Sequence, residues 1–126
     1  MNLGDYSDIV IDHFMSPRNL GSMVDADGIG RVGDPDCGDC LYLYIKVNRG
    51  KISDISFLAY GCTAAIASSS MTTELVLGKS LDEAYQITAE AIISALGGLP
   101  GFKQHCSVLG ADAVRKAIDD YRSKGR

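Results

Sequence analysis

The chain has 126 residues, enough for one domain around a single core, and its 46% hydrophobic and 22% charged content is that of an ordinary globular protein. A formal net charge of -4 excludes the basic stripe of a general nucleic-acid binder. The apolar stretches fall short of a membrane span, and Met1-Asn-Leu-Gly-Asp-Tyr6 has neither the basic start nor the apolar run of a secretory signal, so the expected compartment is the reducing cytoplasm.

Residues Asp5 to Met15 carry Tyr6, Ile9, Val10, His13 and Phe14 at three- and four-residue steps, which predicts a helix ended by Ser16-Pro17. A Gly- and Asp-rich connector runs from Pro17 to Gly30, with a strand expected around Gly28–Val32. Gly33-Asp-Pro-Asp-Cys37-Gly is turn chemistry and places Cys37 on an exposed loop. From Asp39 to Val47 the residues alternate: Leu41, Leu43, Ile45 and Val47 face one way, Cys40, Tyr42, Tyr44 and Lys46 the other. Asn48-Arg49-Gly50 turns the chain into a partner strand, Ile52 to Tyr60, with Ile55, Phe57 and Ala59 on one face.

After Gly61 the period changes. Cys62 to Leu77 holds no Gly or Pro until Gly78, a C-terminal stop, and its small residues Ala64 to Ser70 suit close helix packing. Ser80-Leu-Asp-Glu83 is a capping-box sequence, and Thr88 caps a short segment from Ala89 to Leu96. After Gly97-Gly98-Leu99-Pro100-Gly101, a final helix starts near Cys106 with Ala111, Val114, Ile118 and Tyr121 as its inner stripe. The expected fold is α+β: residues 1–126 as one domain, a small antiparallel sheet of about three strands, and helices packed on one face.

Three of the four cysteines stand at loop or helix-start positions, each beside a small or metal-binding residue: Cys37-Gly-Asp39, Gly61-Cys62 and His105-Cys106. No pair has zinc-finger spacing. Thiolates with a carboxylate and an imidazole form a ligand set for zinc or an iron–sulfur centre. Cys62 and Cys106 open helices, whose N-terminal dipoles favour thiolate. Cys37 and Asp39 lie two apart and share a side in extended backbone, whereas Cys40 points away with Tyr42 and Tyr44. His105 is a ligand or a helix-start contact. Lys103 either holds a sulfur or carboxylate of the site or is solvated. His13, among apolar residues, reads as structural.

At these residues the chain resembles the IscU family of iron–sulfur cluster assembly scaffolds, equivalent to the N-terminal domain of NifU-type proteins. The carriers, in order, are Tyr6-Ser-Asp-Ile-Val-Ile-Asp-His13, Pro17-Arg-Asn-Leu-Gly21, Cys37-Gly-Asp39, Tyr60-Gly-Cys62, Ala65-Ile-Ala-Ser-Ser-Ser70, Gly78-Lys-Ser-Leu-Asp-Glu-Ala84 and His105-Cys106-Ser107. The resemblance implies a scaffold rather than an enzyme, on which a transient [2Fe–2S] cluster is built from iron and desulfurase-derived sulfur and passed to acceptor apo-proteins. It implies Cys37, Cys62 and Cys106 as cluster cysteines, Asp39 as the residue that keeps the cluster labile, His105 as the adjacent ligand, and Cys106 as the acceptor of persulfide sulfur. The fourth ligand is left among Asp39, His105 and Cys40. Gly38 and Gly61 are expected to leave room for a partner's thiols.

The implied partners are a cysteine desulfurase, acceptor apo-proteins and a possible second copy in a homodimer. Hsp70 and J-type chaperones are implied only in part, because Leu99-Pro-Gly-Phe-Lys103 differs at two of five positions from the family's Leu-Pro-Pro-Val-Lys. Nucleic acid and membrane are not expected. Three rival readings stand beside this one: a zinc-binding SufU-like sulfur acceptor, a thiol oxidoreductase using Cys37 and Cys40, and a plain zinc-stabilised interaction module.

Overall fold

The hairpin expected at Asn48-Arg49-Gly50 forms the centre of the molecule. In the computed structural model, which describes residues 3–34 and 38–124, strands β2 (Asp39–Asn48) and β3 (Lys51–Tyr60) pair antiparallel. Arg49 and Gly50 have φ of 53° and 75°. Two consecutive left-handed residues match the twist of the flanking strands, which makes this two-residue turn fit between them. Strand β1 (Gly28–Asp34) pairs antiparallel with the other side of β2, giving the order β1-β2-β3. It runs past the expected Val32 and takes in Gly33 and Asp34, read from sequence as turn. The rest of that turn, including Cys37, lies outside the described residues.

The alternation in β2 is as expected: Leu41, Leu43 and Ile45 are buried, while Cys40, Tyr42, Tyr44 and Lys46 are half-buried on the opposite face. In β3 the buried set is Ile52, Ile55 and Phe57. Ile52 joins a face from which it would be out of phase because the ladder slips between Lys46 and Val47: Lys46 opposes Asp54, and Val47 opposes Ile52. Ser53 is the extra residue of a bulge, and the slip returns Ile52 to the core.

Among the described residues the helices are α1 (Asp8–Met15), α2 (Thr63–Val76), α3 (Leu81–Tyr85), α4 (Ala89–Ala95) and α5 (His105–Ser123). Helix α1 starts three residues later than the period suggested. Ser7 is its N-cap, accepting from the Val10 amide at 3.1 Å, and Leu3–Asp5 is a separate 3₁₀ turn. Ser80 and Glu83 form the full capping box of α3, and Thr88 Oγ1 accepts from Ala91 N at the start of α4. Gly78, with φ of 84°, stops the chain just past α2 and turns its amide to Ile52 O of β3.

Helix α5 lies on β1 and β2, and α2 lies against β3. Both approaches depend on small residues. A Cβ on Gly28 or Gly30 would collide with the backbone carbonyls of Ala117 and Ala113, so α5 rests on the backbone of β1 itself. Helix α2 is buried almost all round, including Ser68, Ser69, Ser70, Thr72 and Thr73. The hydroxyls of Ser68, Ser69, Thr72 and Thr73 stay satisfied by donating to carbonyls about one turn earlier, as in Ser68 to Ala64 O (2.6 Å) and Thr72 to Ser68 O (2.6 Å), while Ser70 Oγ bonds outside the helix. Gly110 of α5 faces Thr72, where no side chain would fit. The N-termini of α2 and α5 are thereby drawn to the same end of the sheet.

The connector after α1 is pinned rather than loose. Gly21 N and Asn19 O bond the backbone of Phe57, Arg18 N donates to Ser70 Oγ (2.9 Å), and Asn19 Nδ2 donates to Thr73 Oγ1 (2.9 Å). His13 is buried, with Nδ1 hydrogen-bonded to Ser70 Oγ at 2.8 Å, the structural role its surroundings suggested. Burial holds its pKa below the ordinary value, helped by the Arg18 charge and opposed by Glu74 and Asp12. Among the described residues no helix is long and apolar enough to cross a membrane.

Two outcomes are expected. Gly30→Ala lowers the entropy of the unfolded chain, a small stabilising effect, but forces the helix off the strand, so it should lose about 1–3 kcal/mol in urea denaturation. Because unfolded His13 takes up a proton near pH ~6.5 and the folded residue does so only at lower pH, stability should be level above that value and fall as pH drops below it. His13→Gln should flatten that part of the curve of urea midpoint against pH; an unchanged slope would contradict it.

Candidate metal centre

At the end of the sheet where α2 and α5 begin, three side chains converge. One ligand atom each from Asp39, Cys62 and Cys106 lies within 4.8 Å of the other two. Cys62 Sγ and Cys106 Sγ are 3.7 Å apart, and Cys106 Sγ is 3.5 Å from Asp39 Oδ2. Tetrahedral coordination with metal–sulfur bonds of about 2.3 Å and metal–oxygen bonds of about 2.1 Å requires edges of roughly 3.8 and 3.6 Å. The observed separations are already those edges.

Each donor is placed for a local reason. Asp39 is the first residue of β2, on the same face as Leu41, so its side chain turns inward and is 3% exposed. Continuing the register beyond Cys40 opposite Tyr60 sets Asp39 against Gly61. A Cβ on Gly61 would sit on the Asp39 carboxylate. Gly61 is thus reserved for the chain's own aspartate and does not hold space for a partner, as had been expected of it. Gly38, with φ of 71°, has nothing near its missing Cβ and does leave space. Asp39 Oδ1 accepts from Cys62 N at 3.3 Å, tying the start of β2 to the start of α2.

Cys62 is the N-cap of α2 and has no side-chain cap bond, so the helix starts one residue later than expected and the sulfur is left for other chemistry. It is half-buried. Cys106, in the first turn of α5, is 1% exposed. Its thiol is pushed far above its ordinary pKa, first by burial, then by the Cys62 sulfur and the Asp39 carboxylate. The expected helix-induced bias toward thiolate is therefore reversed at Cys106. A dipole contributes at most about 2 kcal/mol, and removal from water beside a second sulfur and a carboxylate outweighs it.

His105 is half-buried, with Nε2 3.7 Å from Cys106 Sγ, at the rim of the group. Lys103 lies beside it as well: burial pulls its pKa down, but the adjacent Cys62 sulfur, hydrogen-bonded to the ammonium, and Cys106 raise it overall. Tyr6 is the residue that the sequence did not flag. It is buried, and burial followed by the Cys62 sulfur raises its phenol pKa. In the sequence it reads only as one member of an apolar helix stripe, and no local spacing links it to Cys62. Cys40 opposes Gly33 and Tyr60 on the other face of the sheet, away from the three donors. Cys37, the remaining expected ligand, lies outside the described residues.

Residues 5–126 match the family described as "NifU-like N terminal domain". The chain is similar to "Iron-sulfur cluster assembly scaffold protein IscU 1" of Archaeoglobus fulgidus, at 57% identity over 119 residues covering 94% of this chain and 78% of that relative. It is also similar to "Iron-sulfur cluster assembly scaffold protein IscU" of Escherichia coli, at 54% identity over 123 residues covering 94% of this chain and 95% of the other. Among solved structures, the N-terminal part of a nitrogen-fixing NifU-like protein from Brucella abortus has the same fold, with a TM-score of 0.76 over 97% of both chains at 19% identity.

Burial and pKa together set an order of thiol reactivity. In metal-free protein, iodoacetamide should modify Cys62 well before Cys106, because the latter is both enclosed and held protonated. Peptide mass mapping over a time course checks this; equal rates would show that the two sulfurs do not differ in this way.

Proposed function

This chain belongs to the family of NifU-like N-terminal domains, and we propose that it is an iron–sulfur cluster assembly scaffold. It takes iron and desulfurase-derived sulfur as substrates and hands the finished cluster to apo-proteins. The observation that carries the proposal is the convergence of Asp39, Cys62 and Cys106 at metal-binding separations. The relatives named above are called scaffolds of this kind.

The cargo is a [2Fe–2S] cluster, with Cys37, Cys62 and Cys106 supplying thiolates and Asp39 or His105 completing the set. A centre meant to stay would have four sulfur donors. Here the fourth donor is a carboxylate or imidazole, harder than thiolate and more easily exchanged on iron. Cys106 receives the sulfur: its sulfur attacks the outer sulfur of the desulfurase persulfide, the donor's S–S bond breaks, and the proton lost by Cys106 passes to the departing donor sulfur, which leaves as thiol. Lys103 supports that step by holding positive charge beside Cys62 and Cys106. Because Cys106 is enclosed, its delivery step requires neighbouring side chains to part. The three described cysteines carry no disulfide, which suits work in the reducing cytoplasm.

Anaerobic incubation with ferrous iron, cysteine and a cysteine desulfurase should produce visible absorption with iron and sulfide bound to the chain. Cys37→Ala, Cys62→Ala and Cys106→Ala should each weaken cluster binding by at least about tenfold, while Cys40→Ala keeps most of it. Asp39→Ala should hold its cluster longer in transfer to an apo-protein. Tightly retained zinc with no visible absorption would instead favour a zinc-bound sulfur relay. Reductase activity that needs Cys40 would favour the dithiol reading.

A further inference from the structure

Strand β1 is an outer strand of the sheet. The Ile29 amide does not enter the ladder with β2 but donates to Asp120 Oδ2 of α5 at 2.9 Å. In an antiparallel strand alternate residues face the same way, so Ile29, Arg31 and Gly33 all present their N–H and C=O groups to the open edge. Asp120 closes the Ile29 position. Arg31 and Gly33 are exposed and share the outward orientation that the Ile29–Asp120 bond fixes. An open strand edge is a template for one more strand.

The location of this opening matters. Gly33 opposes Cys40 and Asp34 opposes Asp39 in the register. An added strand alongside Arg31–Gly33 would therefore run toward the loop that leads to Asp39, and from there toward Cys62 and Cys106. Charge selects among occupants. The Arg31 guanidinium lies 5.5 Å from the ring centroid of Tyr42, and no described carboxylate pairs with it. A second copy of this chain centred on Arg31 would set two arginines against each other, and one centred on Ile29 would meet the Asp120 cap.

We propose that the Arg31–Gly33 edge of β1 receives an extended segment of the acceptor apo-protein, with an acidic side chain opposite Arg31, and so aligns the acceptor with the cluster. This deepens the scaffold reading and rests on it. Main-chain bonds supply the alignment in such an added strand, and the side-chain pair supplies selectivity. The edge also provides local positive charge on a chain of net charge -4, where an acidic acceptor would otherwise be repelled.

A plant-type ferredoxin stripped of its [2Fe–2S] cluster serves as the acceptor probe. Arg31→Pro removes the outward amide without touching the ladder to β2, a substitution that an edge strand tolerates. It should assemble as much iron and sulfide as the parent but transfer them about tenfold more slowly. Arg31→Glu should also slow transfer, and Arg31→Lys should retain most of it. In the unmodified protein, hydrogen exchange at the Arg31 and Gly33 amides should be fast and should slow when apo-ferredoxin is added. Transfer at an unchanged rate in Arg31→Pro overturns the proposal, as does exchange that apo-ferredoxin leaves unaltered. Protection that rises with protein concentration alone would assign the edge to a second copy and overturn it too. Failure of the unmodified protein to form any cluster overturns the scaffold reading instead, and the exchange measurement, which needs no cluster, still decides the edge.

Discussion

The contact on which the centre depends is that of the Asp39 carboxylate over Gly61. It joins the first residue of β2 to the residue linking β3 to α2, and it operates only because Gly61 has no side chain. With the carboxylate seated there, one oxygen holds the Cys62 amide and the other stands 3.5 Å from the Cys106 sulfur. Three segments distant in the chain are referred to one buried group. The cost of burying a carboxylate is met in part by these hydrogen bonds and fully only when a cation is present.

A second requirement is that two helices begin at the same place, and small residues achieve it. Gly28 and Gly30 let α5 rest on strand backbone, Gly110 admits Thr72, and the hydroxyls of Ser68, Ser69, Thr72 and Thr73 satisfy themselves within α2. Larger residues at those positions would separate α2 from α5 and pull the two sulfurs beyond a shared metal. The centre is thus a consequence of packing far from it. The same packing explains the direction of the Cys106 shift. Close approach excludes water from the inner sulfur, and burial beside the Cys62 sulfur and the Asp39 carboxylate favours its protonated form.

The architecture was legible in the sequence wherever a local rule applied. Alternation from Asp39 to Val47 gave the faces of β2, Arg49-Gly50 gave the turn, and Ser80, Thr88 and Gly78 gave the helix limits to within a residue. Residue type and resemblance single out Asp39, Cys62 and Cys106, which the fold brings together, with His105 at their rim and Cys40 apart, while Cys37 lies outside the described residues. What escaped had no local signature. The bulge that restores Ile52 to the core shows only in the pairing with β2. Tyr6 reaches the Cys62 neighbourhood through the docking of α1 on α2, a contact more than fifty residues long in sequence. The purpose of Gly61 and the raised pKa of Cys106 likewise depend on what the fold brings near them.

The centre is also asymmetric, and the asymmetry bears on how a metal leaves it. Asp39 and Cys106 form an enclosed inner side, at 3% and 1% exposure, whereas Cys62 and His105 are half-buried on the outer side. An incoming ligand meets the outer donors first. Were a metal held by this group, Asp39 and Cys106 would hold it from the enclosed side and Cys62 from the half-buried side, where an incoming ligand would arrive. The inner pair is itself uneven: a thiolate, which binds soft metals firmly, beside a carboxylate already committed to the Cys62 amide. Moving Cys62 weakens that amide bond and frees Asp39 to turn. The hydrogen bond from the Cys62 amide to Asp39 thus ties the half-buried side of the group to its enclosed side.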